Sequence, residues 1–375
     1  MHHQRLLADL LVVSLEQAVA APYLMALLAD KGAEVVKVER PEGDFARGYD
    51  RAVLGESSYF VWLNRGKKSV VLDIKAPLDH RVLLNMLAAA DVFVQNLSVG
   101  AAQRAGLGVE ALAAHNPRLI TVDISGYGEY GPMASKKGYD LLIQCEAALA
   151  AVSGAPEAPG RVGVSISDIA TGLYSYAAVL EALLRRGKTG RGAHLKASLF
   201  AATAELMAVP YLQTAYGGKA PRRVGLSHPS IAPYGAYPCA GGGQVVFGIQ
   251  NPREWQRLCD KILGDSALAH DPRFVDNNAR VVHRLDLDAI INACFAGLTP
   301  DQVTARLEAA DIPCGRVNEV ANLVDHGQLR TVAATLGVDR VQLIRPPVEW
   351  QGETVTLGAV PALGAHTQAI KERFA

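Results

Sequence analysis

The chain has 375 residues, half of them apolar, with 37 Lys plus Arg against 37 Asp plus Glu, so it can bury a large core and carries no net charge. That balance excludes a disordered tail, a peptide module and a generic binder of nucleic acid or other polyanions. The five cysteines, Cys145, Cys239, Cys259, Cys294 and Cys314, are scattered without a CxxC pair and read as reduced thiols of a cytoplasmic protein.

The apolar stretch within Met1–Val19 is interrupted by Asp9 and Glu16, so neither a signal peptide nor a membrane association is expected. Short β-rich runs follow at Leu10–Leu15, Glu34–Val38, Ser69–Ile74, Val92–Gln95 and Leu119–Ile124, interleaved with helical patterns at Pro22–Lys31 and His80–Ala90. Alternation of the two periods predicts a wound α/β sheet, and the nearly apolar strands predict helices on both faces. A longer helix is predicted from Ile169 to Arg186, stopped by basic residues and Gly187. The texture changes near Ala220, where a Pro/Gly-rich stretch leads through Ala240-Gly241-Gly242-Gly243 to an apolar strand and three helical patterns. We expect residues 1–224 to form the large domain, 225–316 a smaller α+β domain, and 317–375 a segment returning to the first.

Phosphate loops are the first test of such a sheet. The turn after the first strand, Ser14 to Pro22, has no glycine, which argues against a dinucleotide pyrophosphate and hence against nicotinamide or flavin. Ala182–Thr189 ends in Gly187-Lys188-Thr189 but lacks the first P-loop glycine and lies at a helix end. No HExxH, GxSxG or carboxylate/His cluster at metal spacing appears, so no metal centre is expected.

What remains is a set of loop cations and one isolated carboxylate. Arg40 follows the second strand, Lys75 the third and Asn96 the fourth, with Arg104, Lys136 and Lys137 in later loops. Open α/β sheets bind ligands at those strand ends. Either these are ordinary solvated cations or, together, a site for a phosphorylated ligand. Asp168, in Val164-Ser165-Ile166-Ser167-Asp168, precedes the long helix. It reads either as an N-cap or as a carboxylate held at a helix start for nucleophilic work.

Ordered blocks from Leu10 to Thr367 resemble the class III CoA-transferase family: Leu28–Asp44, Asn64–Ser69, Gln95-Asn96-Leu97, Ser125-Gly126-Tyr127-Gly128, Gly138-Tyr139-Asp140, Asp168 with Thr171-Gly172, Thr189–Gly192, Ile312–Gly315 and Leu363–Thr367. The resemblance implies a Rossmann-like large domain, a small domain and an interlocked homodimer. Coenzyme A and its thioesters would be substrates, and small carboxylic acids the acyl partners. The family's catalytic aspartate maps onto Asp168, and its CoA contacts onto Arg40, Leu72, Lys75, Asn96, Leu97, Arg104, Lys137 and Tyr139. A racemase branch of the same family carries a histidine where Tyr139 stands, and tyrosine is a poor base near neutrality. A non-catalytic CoA-binding protein is the remaining alternative.

Gly225–Tyr234 lacks the glycine-rich loop of formyl-CoA-transferase-like members, which points away from oxalate and formate. The blocks Gly43–Tyr49 and Ser57–Arg65 look instead like members acting on small dicarboxylates such as itaconate, mesaconate, citramalate or malate, with succinyl-CoA as donor. Arg47 and Arg65 are the candidates for the second carboxylate, because a guanidinium pairs with it bidentately. His228 is a further pocket candidate.

Overall fold

Leu11-Val12-Val13-Ser14-Leu15 is buried at every position and forms the central strand β1 (Leu11–Leu15) of a computed structural model that describes residues 6–375. The first residues of the stretch read above for a leader fall outside that range. With β2 (Glu34–Glu39), β3 (Lys67–Val71), β4 (Val92–Gln95), β5 (Ile120–Ser125) and β6 (Ala193–Ser198), it makes one parallel sheet of order β3-β2-β1-β4-β5-β6. Strand order reverses between β1 and β4, which opens a crevice outside their C-terminal ends.

Alternation along the strands builds two apolar layers. Val12, Val35, Val94 and Val122 pack with Leu24 and Leu28 of the helix Ala20–Asp30 and with Val179 of the long helix Ile166–Thr189. Leu11, Val13, Val36 and Phe93 pack on the other face with Leu83, Met86 and Leu87 of the helix Pro77–Ala89 and with Ile370 of the C-terminal helix Thr367–Arg373. Each such side chain contributes roughly 1.5–3 kcal/mol of burial.

Three departures from the sequence expectation bear on function. Strand β3 starts at Lys67 and ends at Val71, because Lys67 is a buried strand residue and Asp73 caps a turn through the Lys75 N–H at 3.0 Å. The long helix begins at Ile166 instead of Ile169, which puts Asp168 inside its first turn. Strand β6 was not foreseen; its Ala-His-Leu-Lys-Ala-Ser sequence carries His194, Lys196 and Ser198 on one face and lies at the sheet edge.

The chain divides into two units: residues up to Ala150 with Arg161–Tyr211 and Arg330–Ala375, and Ala151–Gly160 with Leu212–Leu329. The breaks lie at 211/212 and 329/330 rather than 224/225 and 316/317, and a short excursion at 151–160 joins the second unit. That second unit has an antiparallel sheet of β7 (Tyr234–Pro238), β8 (Gln244–Gly248) and β9 (Cys314–Arg316), with β8 in the middle. Gly241, at φ +80°, helps close the β7–β8 hairpin. Phe247, Trp255, Phe274, Ile291 and Phe295 fill its core. The returning segment adds the hairpin β10 (Thr331–Leu336) and β11 (Asp339–Ile344) to the first unit. Among the described residues no helix is long and apolar enough to cross a membrane.

Candidate active site

Asp168 is the third residue of the long helix. An acid there ordinarily folds back onto the free amides of the first turn. Here that work is done from elsewhere: Asp140 Oδ1 accepts the Ser167 N–H at 2.8 Å, while Ser165 makes no side-chain cap bond. Asp140 Oδ2 takes Gln144 Nε2 at 2.7 Å, and the Oε1 of buried Gln144 accepts the Val162 N–H at 2.8 Å. Among the described residues the Asp168 carboxylate has no hydrogen-bond or ion-pair partner. Burial first, and the Asp140 charge second, push it up to about 7.

Two close approaches fix this arrangement. A Cβ on Gly126 would stand 2.7 Å from the Gly138 Cα, so the loop leaving β5 and the loop entering Tyr139-Asp140 touch backbone to backbone. A Cβ on Gly172 would stand 2.9 Å from the Ala20 carbonyl oxygen, so the long helix lies against the start of the helix Ala20–Asp30. These contacts give the Ser125–Gly128, Gly138–Asp140 and Thr171-Gly172 blocks a physical reason.

Tyr49 joins the same electrostatic neighbourhood. Its hydroxyl is pushed up to about 12 by burial first, then by the charges of Asp44 and Asp168 and by Tyr139 and Tyr59. Its ring stands edge-on to Tyr59 at 5.4 Å and 5.8 Å from Phe45. The sequence offered Tyr49 only as the last residue of a block, with no role.

The residues mapped as CoA contacts divide into exposed and committed groups. Arg40, Lys75 and Arg104 are exposed, beyond the C-terminal ends of β2, β3 and β4 respectively; Lys137 and Tyr139 are exposed ahead of Asp140. Arg40 Nε donates to the Gly43 carbonyl at 3.0 Å. Asn96 clamps Gln17, accepting its N–H at 3.0 Å and donating to its carbonyl at 2.8 Å, which ties the β1 and β4 ends together. Leu97 is half-buried, and the Leu72 side chain lies in the core at 2% exposure, so Leu72 can offer a ligand only its main chain. A cleft of about 600 Å³ opens at the ends of β4, β5 and β6, lined by Gln95, Leu97, Ser125, Tyr174 and Ser198. Its wall on the long helix starts at Thr171, one turn beyond Asp168.

The candidates for a second substrate carboxylate are engaged elsewhere. Arg47 is bidentate on Glu39, Nε to Oε2 at 2.9 Å and Nη2 to Oε1 at 2.8 Å, and its guanidinium lies 3.7 Å from the Phe60 ring centre. Arg65 is bidentate on Asp30 at 3.0 and 2.6 Å and also donates to the Trp62 carbonyl. In each the Nε/Nη2 fork is committed to a carboxylate of the protein, so a substrate carboxylate would meet only the remaining Nη donors. His228 lies in the second unit, stacked on Tyr234, with Nδ1 accepting the Ser230 N–H at 3.1 Å.

Beside Glu39 lies a buried charge network that the sequence did not disclose. Lys37 Nζ meets Asp44 Oδ2 at 2.6 Å and Glu16 Oε1 at 3.4 Å, and Lys67 Nζ meets the same Glu16 oxygen at 2.5 Å and Asn64 Oδ1 at 3.1 Å. Both ammonium groups are fully buried. Burial pulls Lys67 down to about 8 against the attraction of Glu16. Burial opposes the charge on Lys37 too, but Glu16, Asp44 and Glu39 outweigh it and raise that group. Asp44 Oδ1 also holds the Ala18 N–H at 3.2 Å, with Ala18 at φ +64°, so the network braces the turn after β1.

Asp123, Glu129 and His194 bring ligand atoms within 4.8 Å of one another. Reading for spacing along the chain passed over this set because it spans neighbouring strands. Glu129 already holds Lys196 Nζ at 2.5 Å, and His194 Nδ1 is engaged with Thr121 Oγ1 at 2.8 Å, so an ammonium occupies part of the acidic capacity.

Comparison with known proteins gives the family. The chain is 32% identical over 371 residues to the acetyl-CoA:oxalate CoA-transferase of Acetobacter aceti, covering 98% of this chain and 95% of that one. It is 30% identical over 383 residues to the succinyl-CoA–D-citramalate CoA-transferase of Chloroflexus aurantiacus, covering 98% and 93%. The crystal structure of a CAIB/BAIF family protein from Brucella suis superposes with a TM-score of 0.85 at 32% identity, covering all of both chains. Residues 7–367 match CoA-transferase family III, and the chain belongs to that family.

Proposed function

We propose that the protein moves coenzyme A from a donor thioester, succinyl-CoA, to a small dicarboxylate, with Asp168 as the covalent nucleophile. The observation that carries this reading is the Asp168 carboxylate itself: half-buried, unpartnered among the described residues, and held near 7 at a helix start. A carboxylate without a cation or donor on it keeps its lone pairs for attack.

Asp168 attacks the donor thioester carbonyl, CoA leaves as thiolate, and an aspartyl–acyl anhydride forms. The thiolate then attacks the aspartyl carbonyl, releasing the donor acid and leaving an aspartyl–CoA thioester. The acceptor carboxylate repeats the two steps in reverse and regenerates the Asp168 carboxylate. Amides of the first helical turn favour negative charge nearby, which supports the oxyanions of each step. Arg40, Lys75, Arg104 and Lys137 supply exposed cations for the phosphates of CoA.

Among acceptors, itaconate, mesaconate, citramalate and malate head the reading, in keeping with the citramalate named for the Chloroflexus relative. Oxalate joins the set because the Acetobacter relative is named for it, even though the Gly225–Tyr234 stretch pointed away from that acid. We place the enzyme in the cytoplasm as a homodimer whose partner covers Leu173, Tyr174 and Leu184, which are 47%, 49% and 72% exposed along the long helix.

The test is succinyl-CoA offered with each of these acids and with monocarboxylates, the CoA esters resolved by mass and the protein's own mass measured in the same buffer. Dicarboxylate esters from a particle of two 39.8 kDa chains are expected. Esters of monocarboxylates only overturn the acceptor class. Deuterium entering the α-carbon of an acyl-CoA without an acceptor overturns transfer in favour of racemisation, and a single-chain mass overturns the dimer.

A further inference from the structure

We infer that Asp140 is the positioning residue of the nucleophile: its carboxylate takes the capping duty at the start of the long helix and so leaves Asp168 free to attack. The inference rests on Asp168 being the nucleophile. A helix start has free amides, and an acid in the first turn is the usual group to satisfy them. Asp140 satisfies the Ser167 amide from 27 residues away, at 2.8 Å. Its own direction is set by the touching glycines 126 and 138 before it and by Gln144 Nε2 behind it.

Gln144 extends the device. It is fully buried, and one amide group bridges Asp140 at 2.7 Å and the Val162 N–H at 2.8 Å. Two side chains on the short helix Asp140–Glu146 thus strap residues 162 and 167, the two sides of the turn that delivers Asp168. Asp140 also stands close enough for its charge to act on Asp168, and a more basic carboxylate is a stronger nucleophile once ionised. Capping and charge come from the same carboxylate, so a substitution can separate them.

The experiment is the pH dependence of succinate release from succinyl-CoA in a single turnover, which needs no acceptor. Wild type is expected to gain activity about tenfold per pH unit up to an inflection near 7 and then level off. Asp140→Asn keeps an oxygen for the Ser167 amide but removes the charge and the bond accepted from Gln144 Nε2, so the inflection moves down by roughly 1 unit while the melting temperature falls with the fold retained. Asp140→Glu keeps the charge but displaces the oxygen, so the inflection stays while the plateau rate falls about 10-fold or more. Asp140→Ala loses both, and both readouts change. A purely structural role for Asp140 lowers melting temperature and rate without moving the inflection. An unmoved inflection in a folded Asp140→Asn protein overturns the inference, as does an unchanged plateau in Asp140→Glu. Undiminished release by Asp168→Ala instead overturns the nucleophile assignment on which it rests.

Discussion

Two acids in the large unit, buried Glu39 and half-buried Asp168, lie at opposite ends of the carboxylate range. Glu39 is held down to about 2: burial opposes its charge, but Arg47, Lys37 and the Ser69 hydroxyl together overcome that. Asp168 is pushed up to about 7 because burial acts on it with no cation to answer and with Asp140 adding a like charge. Burial alone therefore predicts neither value; the partners decide. Where the fold needs a fixed turn, after β1, it sets each buried charge against an opposite one, although Glu16 does so through Oε1 alone and its Oε2 makes no hydrogen bond. At the start of the long helix it withholds partners from one carboxylate.

The sharpest way to break this contrast is to damage the paired side. Glu16 is shared by Lys37 and Lys67 through one oxygen, so Glu16→Gln leaves two buried ammonium groups short of charge. A loss of about 3–5 kcal/mol in urea unfolding is expected. A change under about 1 kcal/mol contradicts the view that the network is a closed set of pairs.

A smaller effect of opposite sign is expected on the unpaired side. Folding raises Asp168 from 3.8 to about 7, so the native state binds the extra proton between those values and loses stability as pH rises through 7. Asp168→Asn removes that penalty. It is expected to raise stability by on the order of 1–3 kcal/mol at pH 8 and to leave it unchanged at pH 4, the reverse of the Glu16→Gln result. Equal stability of the two proteins at pH 8 contradicts the raised value.

Periodicity disclosed the wound sheet because β1 and β4 are nearly apolar, β2 and β5 are rich in β-branched residues, and the intervening helices carry apolar stripes. It missed β6 because an edge strand with His194 and Lys196 on one face reads as a loop. It gave Lys37 and Lys67 no role, since burial of a lysine depends on Glu16 and Asp44 arriving from other segments. Asp168 was visible as a residue, but its role stayed open between cap and nucleophile. Asp140, which we propose decides between the two, bonds the neighbouring Ser167 N–H through a tertiary contact that no spacing encodes. Arg47 and Arg65 show the same limit from the other side: their chemistry suits a substrate carboxylate, yet Glu39 and Asp30 already hold them.

The most direct measurement is covalent trapping during turnover. The protein is incubated with succinyl-CoA and hydroxylamine, digested, and the peptide spanning the start of the long helix is weighed and fragmented. A hydroxamate on Asp168, with Asp140 and every other carboxylate unmodified, is the predicted result. An enzyme that turns over while Asp168 stays unmodified contradicts the central claim.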